Sequence, residues 1–333
     1  MFPLTAVRNL VLLSLVAVGC GTDEPPSVAF VSPAPGASFA RDALGDTGAL
    51  VATVPIQLDL GGDIARVAVT RGESAIGDAN EEGAITAVLR SDGAATLTAT
   101  AYDAADKVLA TASVDIDVTA PQAATCQDWL DLYHLDYTAG PTNLGIADPI
   151  TVKAPVNGVA YRYNGNADQR KTVYGDCSLI KSLAEAAPVM RQHDIVELVD
   201  IGIYNYRCID QTKTPPNCSL SQHAYAKAID IAAFVDGAGT KYSVLTDWLI
   251  DPATTTCSAA TDGDKDTFLH TVICALKAAD VWNIVLTPNY NSAHRNHFHV
   301  DLTPDADTIK REVPTFDPRL MLDVPTAEAL LGD

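Results

Sequence analysis

From Val28 to Val118 the apolar residues tend to fall at every second position, and this period constrains the fold more than any other feature of the chain. Val54, Ile56, Leu58 and Leu60 alternate with other residues, Val67 and Val69 repeat the pattern, and Thr96 to Tyr102, then Val114, Ile116 and Val118, continue it. Successive side chains of a strand point to opposite faces, so such a run buries one face of a sheet and leaves the other in water. Gly61-Gly62, Ser91-Asp92-Gly93 and Asp103 to Asp106 place turn formers between the runs. No helical stripe crosses this region. Short strands at about 8 to 12 residue spacing over roughly 90 residues predict an all-β sandwich, with residues 28–119 as its bounds. A spacer or adhesive module without chemistry of its own is the expected role.

The period changes after Thr119-Ala120-Pro121, the expected seam. Cys126, Trp129, Leu130 and Tyr133 stand at helical spacing, and Leu179, Ile180, Leu183 and Ala187 predict a second helix over 178–193, which Pro188 should kink or restart. Val196 to Tyr206 is β-branched and aromatic and reads as a buried strand leading into Arg207. Thr267 to Ala279 predicts a third helix, capped by Asp264 or Asp266, with Phe268, Val272, Ile273 and Leu276 as its core stripe. Strands and helices mix without regular βαβ units, so residues 121–303 are expected to form an α+β domain with a small antiparallel sheet, and 304–333 an irregular tail. Two domains suit a chain of 333 residues.

The N-terminus carries Arg8, an apolar run from Leu10 to Val18 and then Gly19-Cys20-Gly21. The run is too short to span a bilayer and fits the apolar core of an export signal. Ala17-Val18-Gly19-Cys20 resembles the lipobox of bacterial lipoproteins, in which the cysteine is acylated. Residues 1–19 are therefore expected to be a signal peptide and 20–27, with Pro25-Pro26, a tether. The chain would be held through Cys20 in the cell envelope, at the outer membrane. The remaining cysteines, Cys126, Cys177, Cys208, Cys218, Cys257 and Cys274, are even in number, and none forms a C-x-x-C pair, which favours disulfides over a thiolate zinc site. Proximity favours Cys208 with Cys218 and Cys257 with Cys274. Acidic residues number 42 against 22 basic, a formal charge of -20, and such a field excludes nucleic acid as a partner.

Chemistry concentrates in AHRNHFHVD, residues 293 to 301, which holds three of the seven histidines. If His297 to Asp301 is extended, His297, His299 and Asp301 share one face, with alternate side chains roughly 7 Å apart. One ring could hold a metal while its neighbour acts on what the metal holds. Upstream, Ser221 to Asp230 contains His223 and Asp230, too far apart for one helical face, so a loop and a strand beginning near Ile229 suit them better. With His299 they would make three ligands, leaving a fourth zinc position for water.

Two resemblances sharpen this reading. The opening VAFVSPAPGASF and the closing TATAYDAADKVLATASVDIDV resemble bacterial immunoglobulin-like repeats of surface proteins, which implies an immunoglobulin-like sandwich. The pattern S-x-H-x-x-A-x-A-x-D followed by H-x-H resembles the zinc peptidases of the lysostaphin, D-alanyl-D-alanine peptidase and hedgehog superfamily. Residues 206 to 302, including YRC, SQHAYAKAIDIAAF, VLTDW, FLHTVICAL and VLTPNYNSAHRNHFHVDL, resemble its bacterial extensin-like C-terminal branch. The resemblance implies one zinc ion on His223, Asp230 and His299, with His297 as a catalytic histidine and peptidoglycan as substrate. His294 matches a further histidine of some penicillin-insensitive murein endopeptidases. Arg207 is placed to bind a substrate carboxylate and Asp301 to orient a ligand.

One departure bears on mechanism. Related carboxypeptidases carry a Glu in an E-x-x-H pattern, whereas Arg295-Asn296-His297-Phe298 precedes His299, and no Glu occurs between Glu197 and Glu312. A histidine-assisted hydrolysis of amide bonds is expected, with a non-catalytic cell-wall-binding protein that retains the fold and zinc as the alternative. His134, His193 and His270 are expected at surface or helix-end positions, and Trp248 and Trp282 in core or pocket walls.

Overall fold

The computed structural model describes residues 24–251 and 256–306. The expected signal peptide 1–19, the lipidation candidate Cys20, the first part of the tether and the tail beyond residue 306 lie outside the described residues.

The alternating region forms two sheets. One joins Ser27–Ser32, Leu50–Gly61 and Ala84–Leu89, with the short Ala43–Leu44 alongside. The other runs Ala37–Ala40, Val108–Thr119, Gly93–Tyr102, Arg66–Arg71, Ser74–Asp78. Pairing is antiparallel except where Ala37–Ala40 runs parallel to Val108–Thr119. Val54, Ile56, Leu58, Val67, Val69, Leu97, Val114, Ile116 and Val118 belong to one buried cluster, the direct product of the two-residue period. This domain is all β, and its last strand ends at Thr119.

Helices enter directly afterwards. Cys126–Leu132 opens on a capping box in which the Asp128 amide donates to Thr125 Oγ1 at 3.1 Å and the Thr125 amide to Asp128 Oδ2 at 2.8 Å. A three-stranded sheet follows, Tyr137–Ala139, Pro149–Lys153 and Thr172–Asp176. The main sheet has the order Ala160–Tyr163, Ile195–Gly202, Ala228–Asp236, Phe298–Asp301, Ile284–Leu286, with Lys241–Ser243 also paired to Ala228–Asp236. It is larger than the small antiparallel sheet expected, and mixed, because Ala160–Tyr163 lies parallel to Ile195–Gly202. Parallel neighbours need a long crossover, supplied here by Thr172–Asp176 and the helix Cys177–Gln192. The strands missed in the sequence are three to five residues long, too short to display a period.

Cys177–Gln192 and Gly263–Ala278 supply Leu179, Ile180, Leu183, Leu269, Val272, Ile273 and Leu276 to the same buried cluster as Ile229, Ile231, Phe298 and Val300 of the sheet. The alternate residues Asp230, His299 and Asp301 take the other side.

Three local expectations are corrected. Pro188 does not restart its helix, which runs unbroken from Cys177 to Gln192. A proline removes the amide that would bond the carbonyl four residues back. That carbonyl, Ala184 O, instead accepts from Asn157 Nδ2 at 2.9 Å, and the same nitrogen donates to Gly48 O of the sandwich at 2.8 Å. Replacing Asn157 with glycine keeps its left-handed backbone, φ 45°, and removes only the amide. That change is expected to cost about 1–3 kcal/mol, as two acceptors lose their donor. An unchanged urea midpoint for Asn157→Gly would show that the bridge contributes nothing.

The second correction concerns the last helix, which starts at Gly263 after Asp262. Asp266 does not cap its N-terminus by side chain; it is buried and accepts from the amides of Leu249 at 2.7 Å and Asp262 at 2.9 Å, tying down the preceding loop. The third is His270, expected near the surface or a helix end. It is buried within that helix, stacked on Trp248 with centroids 3.8 Å apart, and its Nδ1 donates to the Thr256 carbonyl at 2.9 Å. Its position on the buried side of the helix, one turn from Asp266, outweighs the usual exposure of histidine. His134 is exposed past the end of the first helix and His193 caps the second, while Trp248 and Trp282 are core residues.

Candidate metal centre

Asp230 and His299 are cross-strand partners in the pairing of Ala228–Asp236 with Phe298–Asp301. Directly opposed residues stand side by side on one face, so the register alone delivers a carboxylate to an imidazole. His223 arrives from the 3-10 turn Gln222–Tyr225, which Ser221 caps by accepting from the His223 amide at 3.3 Å. Ala226, in the left-handed conformation with φ 51°, closes the turn and directs the chain into the strand. The two motif segments of the sequence, about 70 residues apart, thus meet at one point.

The three donor atoms form a close triangle. His223 Nε2 is 3.1 Å from Asp230 Oδ1 and 3.2 Å from His299 Nδ1, and His299 Nδ1 is 2.9 Å from Asp230 Oδ1. Atoms bound at about 2.0–2.2 Å around a tetrahedral zinc lie roughly 3.3–3.6 Å from one another, close to these separations.

The outer nitrogens define which ring atom faces inward. His223 Nδ1 donates to the Ile203 carbonyl at 2.8 Å, and His299 Nε2 donates to Asp301 Oδ2 at 2.8 Å. Neither oxygen can donate in return, so His223 presents Nε2 and His299 presents Nδ1 to the centre. With both rings neutral, two imidazole lone pairs and a carboxylate oxygen converge with no donor among them. Acceptors in this arrangement repel unless a proton or a cation lies between them. Asp301 is held in turn by the Thr303 amide, which donates to Oδ1 at 2.8 Å.

The electrostatics agree with a centre built for positive charge. Burial acts to raise the Asp230 carboxyl, but hydrogen bonds with His223 and His299 overcome it and hold the group well below the usual carboxylate range. Burial acts against a charged His299, yet its bonds with Asp230 and Asp301 raise it to about 9. The Asp301 carboxyl is lowered, burial being outweighed by His299 and the Thr303 amide.

Two further histidines flank the triangle. His297 is buried, its Nε2 3.4 Å from Asp230 Oδ1. His294, half-buried at the end of the 3-10 turn Ser292–His294, has its ring centroid 5.2 Å from that of His297 and 5.9 Å from that of His299. Burial, followed by repulsion from His297 and His299, pushes His294 down to about 4. His297 is lowered too, chiefly by burial.

Arg207 needs a correction in its setting. The strand ends at Gly202, and residues 203 to 207 are irregular, so Arg207 stands on a loop and not at a strand end. This loop crosses the site: Ile203 supplies the carbonyl under His223, and the Asn205 amide donates to the His223 carbonyl at 3.0 Å. The Arg207 charge contributes to the lowering of both His294 and His297, and among the described residues its guanidinium has no side-chain partner.

The residues missed in the sequence are supporting ones. Asn296 accepts from His297 Nδ1 at 2.8 Å and Asn291 from His294 Nδ1 at 2.7 Å. Adjacency to the histidines was the only signal for them, and the Ile203 carbonyl left none. The six cysteines pair as Cys126–Cys177, Cys208–Cys218 and Cys257–Cys274.

No curated protein matches the chain. A solved structure of fibronectin(III)-like modules of Clostridium thermocellum CbhA is similar at 19% identity and a TM-score of 0.23, covering 28% of this chain and 99% of that one. The family model described as extensin-like protein C-terminus matches residues 135–310 of the 333, more than half of the chain. The match takes in both sheets of the second domain and every residue of the donor triangle. The chain therefore belongs to the extensin-like C-terminus family.

Proposed function

We propose that this protein is a zinc-dependent hydrolase that cuts amide bonds in the peptides of peptidoglycan. The observation that carries the reading is the convergence of His223 Nε2, Asp230 Oδ1 and His299 Nδ1 within 4.8 Å of one another, with the outer nitrogen of each imidazole already partnered. A single Zn²⁺ suits this donor set of two imidazoles and a carboxylate, with a fourth position left for water. When bound, the ion would supply an activated water and polarise the scissile carbonyl.

The remaining residues take roles that follow from their positions. His297, buried beside the triangle, accepts a proton at Nε2 and returns it to the leaving amine. His294, kept neutral by burial and by its neighbours, is a second acceptor on the same side. Arg207 binds an anionic group of the substrate as a fork donor. Asp301 holds the His299 ring in the orientation that turns Nδ1 inward. The sandwich acts as a spacer between the domain and a lipid anchor at Cys20, which places the site in the cell envelope facing peptidoglycan. The substrate class rests on the resemblance of the S-x-H-x-x-A-x-A-x-D and H-x-H segments to the zinc peptidases.

The test pairs metal analysis of the purified chain with mass spectrometry of peptidoglycan digests. Wild type is expected to bind one zinc and release new peptides. His297→Ala is expected to keep its zinc while product formation falls by about 10²–10⁴-fold, the usual contribution of a general base. A wild type without zinc would overturn the metal assignment. Bound zinc with digests identical in wild type and variant would instead leave a wall-binding protein as the reading.

A further inference from the structure

The two flanking histidines share a feature that the donor triangle does not explain. Each has its Nδ1 against the side-chain oxygen of an asparagine, Asn296 at 2.8 Å for His297 and Asn291 at 2.7 Å for His294. An amide oxygen only accepts, so Nδ1 carries the hydrogen and Nε2 keeps the lone pair. In His297 that lone pair is on the atom 3.4 Å from Asp230 Oδ1, facing the triangle. The loop holding this geometry is pinned at both ends, by Arg295 Nη1 donating to the Pro288 carbonyl at 2.5 Å and by the His297 amide donating to the His294 carbonyl at 3.4 Å.

The choice of amide is chemically specific. His299 is oriented by a carboxylate, Asp301, and His223 by a backbone carbonyl. Two carboxylates, Asp230 and Asp301, already lie in this largely buried space, and a third anion beside His297 would add repulsion among them. An amide oxygen gives direction without charge. Asn296 makes no other side-chain hydrogen bond among the described residues, whereas Asn291 also accepts from the Ala293 amide at 3.0 Å and so caps a turn. Asn296 is exposed, and its truncation opens no cavity.

We propose that Asn296 is a positioning residue that fixes the tautomer of His297, leaving Nε2 as the proton-accepting atom turned toward the donor triangle. Its catalytic consequence rests on the hydrolase reading above; the tautomer itself does not. The test is two-bond ¹H–¹⁵N correlation NMR on the full zinc-loaded chain labelled with ¹⁵N-histidine, with His297→Ala used to assign the resonance. Wild type is expected to show His297 protonated at Nδ1. Asn296→Ala should give a mixture of tautomers at unchanged zinc content, and Asn296→Asp should restore the Nδ1–H form. On muropeptide substrates kcat of Asn296→Ala is expected to fall about 10-fold or more with KM unchanged, a fraction of the effect of losing the base itself. His297 protonated at Nε2 in wild type would overturn the proposal, as would a tautomer unmoved by Asn296→Ala. Loss of zinc from Asn296→Ala would also overturn it, by making the residue a structural support of the metal centre. If no substrate is cleaved by wild type, the hydrolase reading fails while the NMR result still decides the role of Asn296.

Discussion

Replacing His299 with alanine is expected to lower zinc affinity more than roughly 100-fold and to abolish hydrolysis. The bound on affinity follows from position: loss of an outer partner of a metal ligand costs about 10–100-fold. His299 is itself a corner of the donor triangle, and without it two protein ligands remain. Asp301→Ala, which removes only the acceptor on His299 Nε2, should stay within about 10–100-fold. The order His299→Ala, then Asp301→Ala, then wild type can be read by competition with a chromophoric chelator. Equal affinities for His299→Ala and wild type would mean that the ion, if bound, sits elsewhere. The folded state should tolerate His299→Ala better than changes at Phe298 or Val300, because those side chains belong to the hydrophobic core and His299 is a buried polar residue on the other face of the strand.

The largest expected effect on stability comes from the disulfides, which are ranked by the chain they close. Cys126–Cys177 spans 51 residues, Cys257–Cys274 spans 17 and Cys208–Cys218 spans 10. Loop-closure entropy in the unfolded chain assigns them about 4, 3 and 2.7 kcal/mol respectively. Serine pairs at Cys126 and Cys177 should therefore give the greatest fall in urea midpoint of the three double variants. That bridge also joins the first helix at Cys126 to the start of the second at Cys177. A ranking in which the Cys208–Cys218 variant is least stable would show that native contacts at the site loop, and not chain entropy, dominate its contribution.

Cysteine pairing shows how far local reasoning reaches. Nearness along the chain points to Cys208–Cys218 and Cys257–Cys274, both of which form, whereas Cys126–Cys177, 51 residues apart, is set by the fold. Local reasoning also holds for the sandwich, where Val54, Ile56, Leu58, Val114, Ile116 and Val118 went to the core that their period required. Local reasoning failed where long-range contacts decided the outcome. Pro188 stays inside a helix because Asn157, 27 residues before Ala184, takes the orphaned carbonyl. His270 is buried because Trp248 stacks on it, and the strands from Tyr137 to Asp176 exist only as partners of other strands.

The site divides along the same line. By itself the sequence determined which residue types were present and the faces that a strand would give them: His299 and Asp301 alternate along the strand Phe298–Asp301, whose first residue follows His297, and His223 and Asp230 lie on a turn and the strand after it. Covalent geometry and period are properties of neighbours, so these features are readable from order alone. Only the tertiary structure decided the rest. The register that sets Asp230 against His299, the Ile203 carbonyl under His223 and the choice of inward-facing ring nitrogen depend on segments far apart in the chain. Hydrogen bonds and strand register are made between such segments, and their partners are defined only once the core between helices and sheet has brought them within reach.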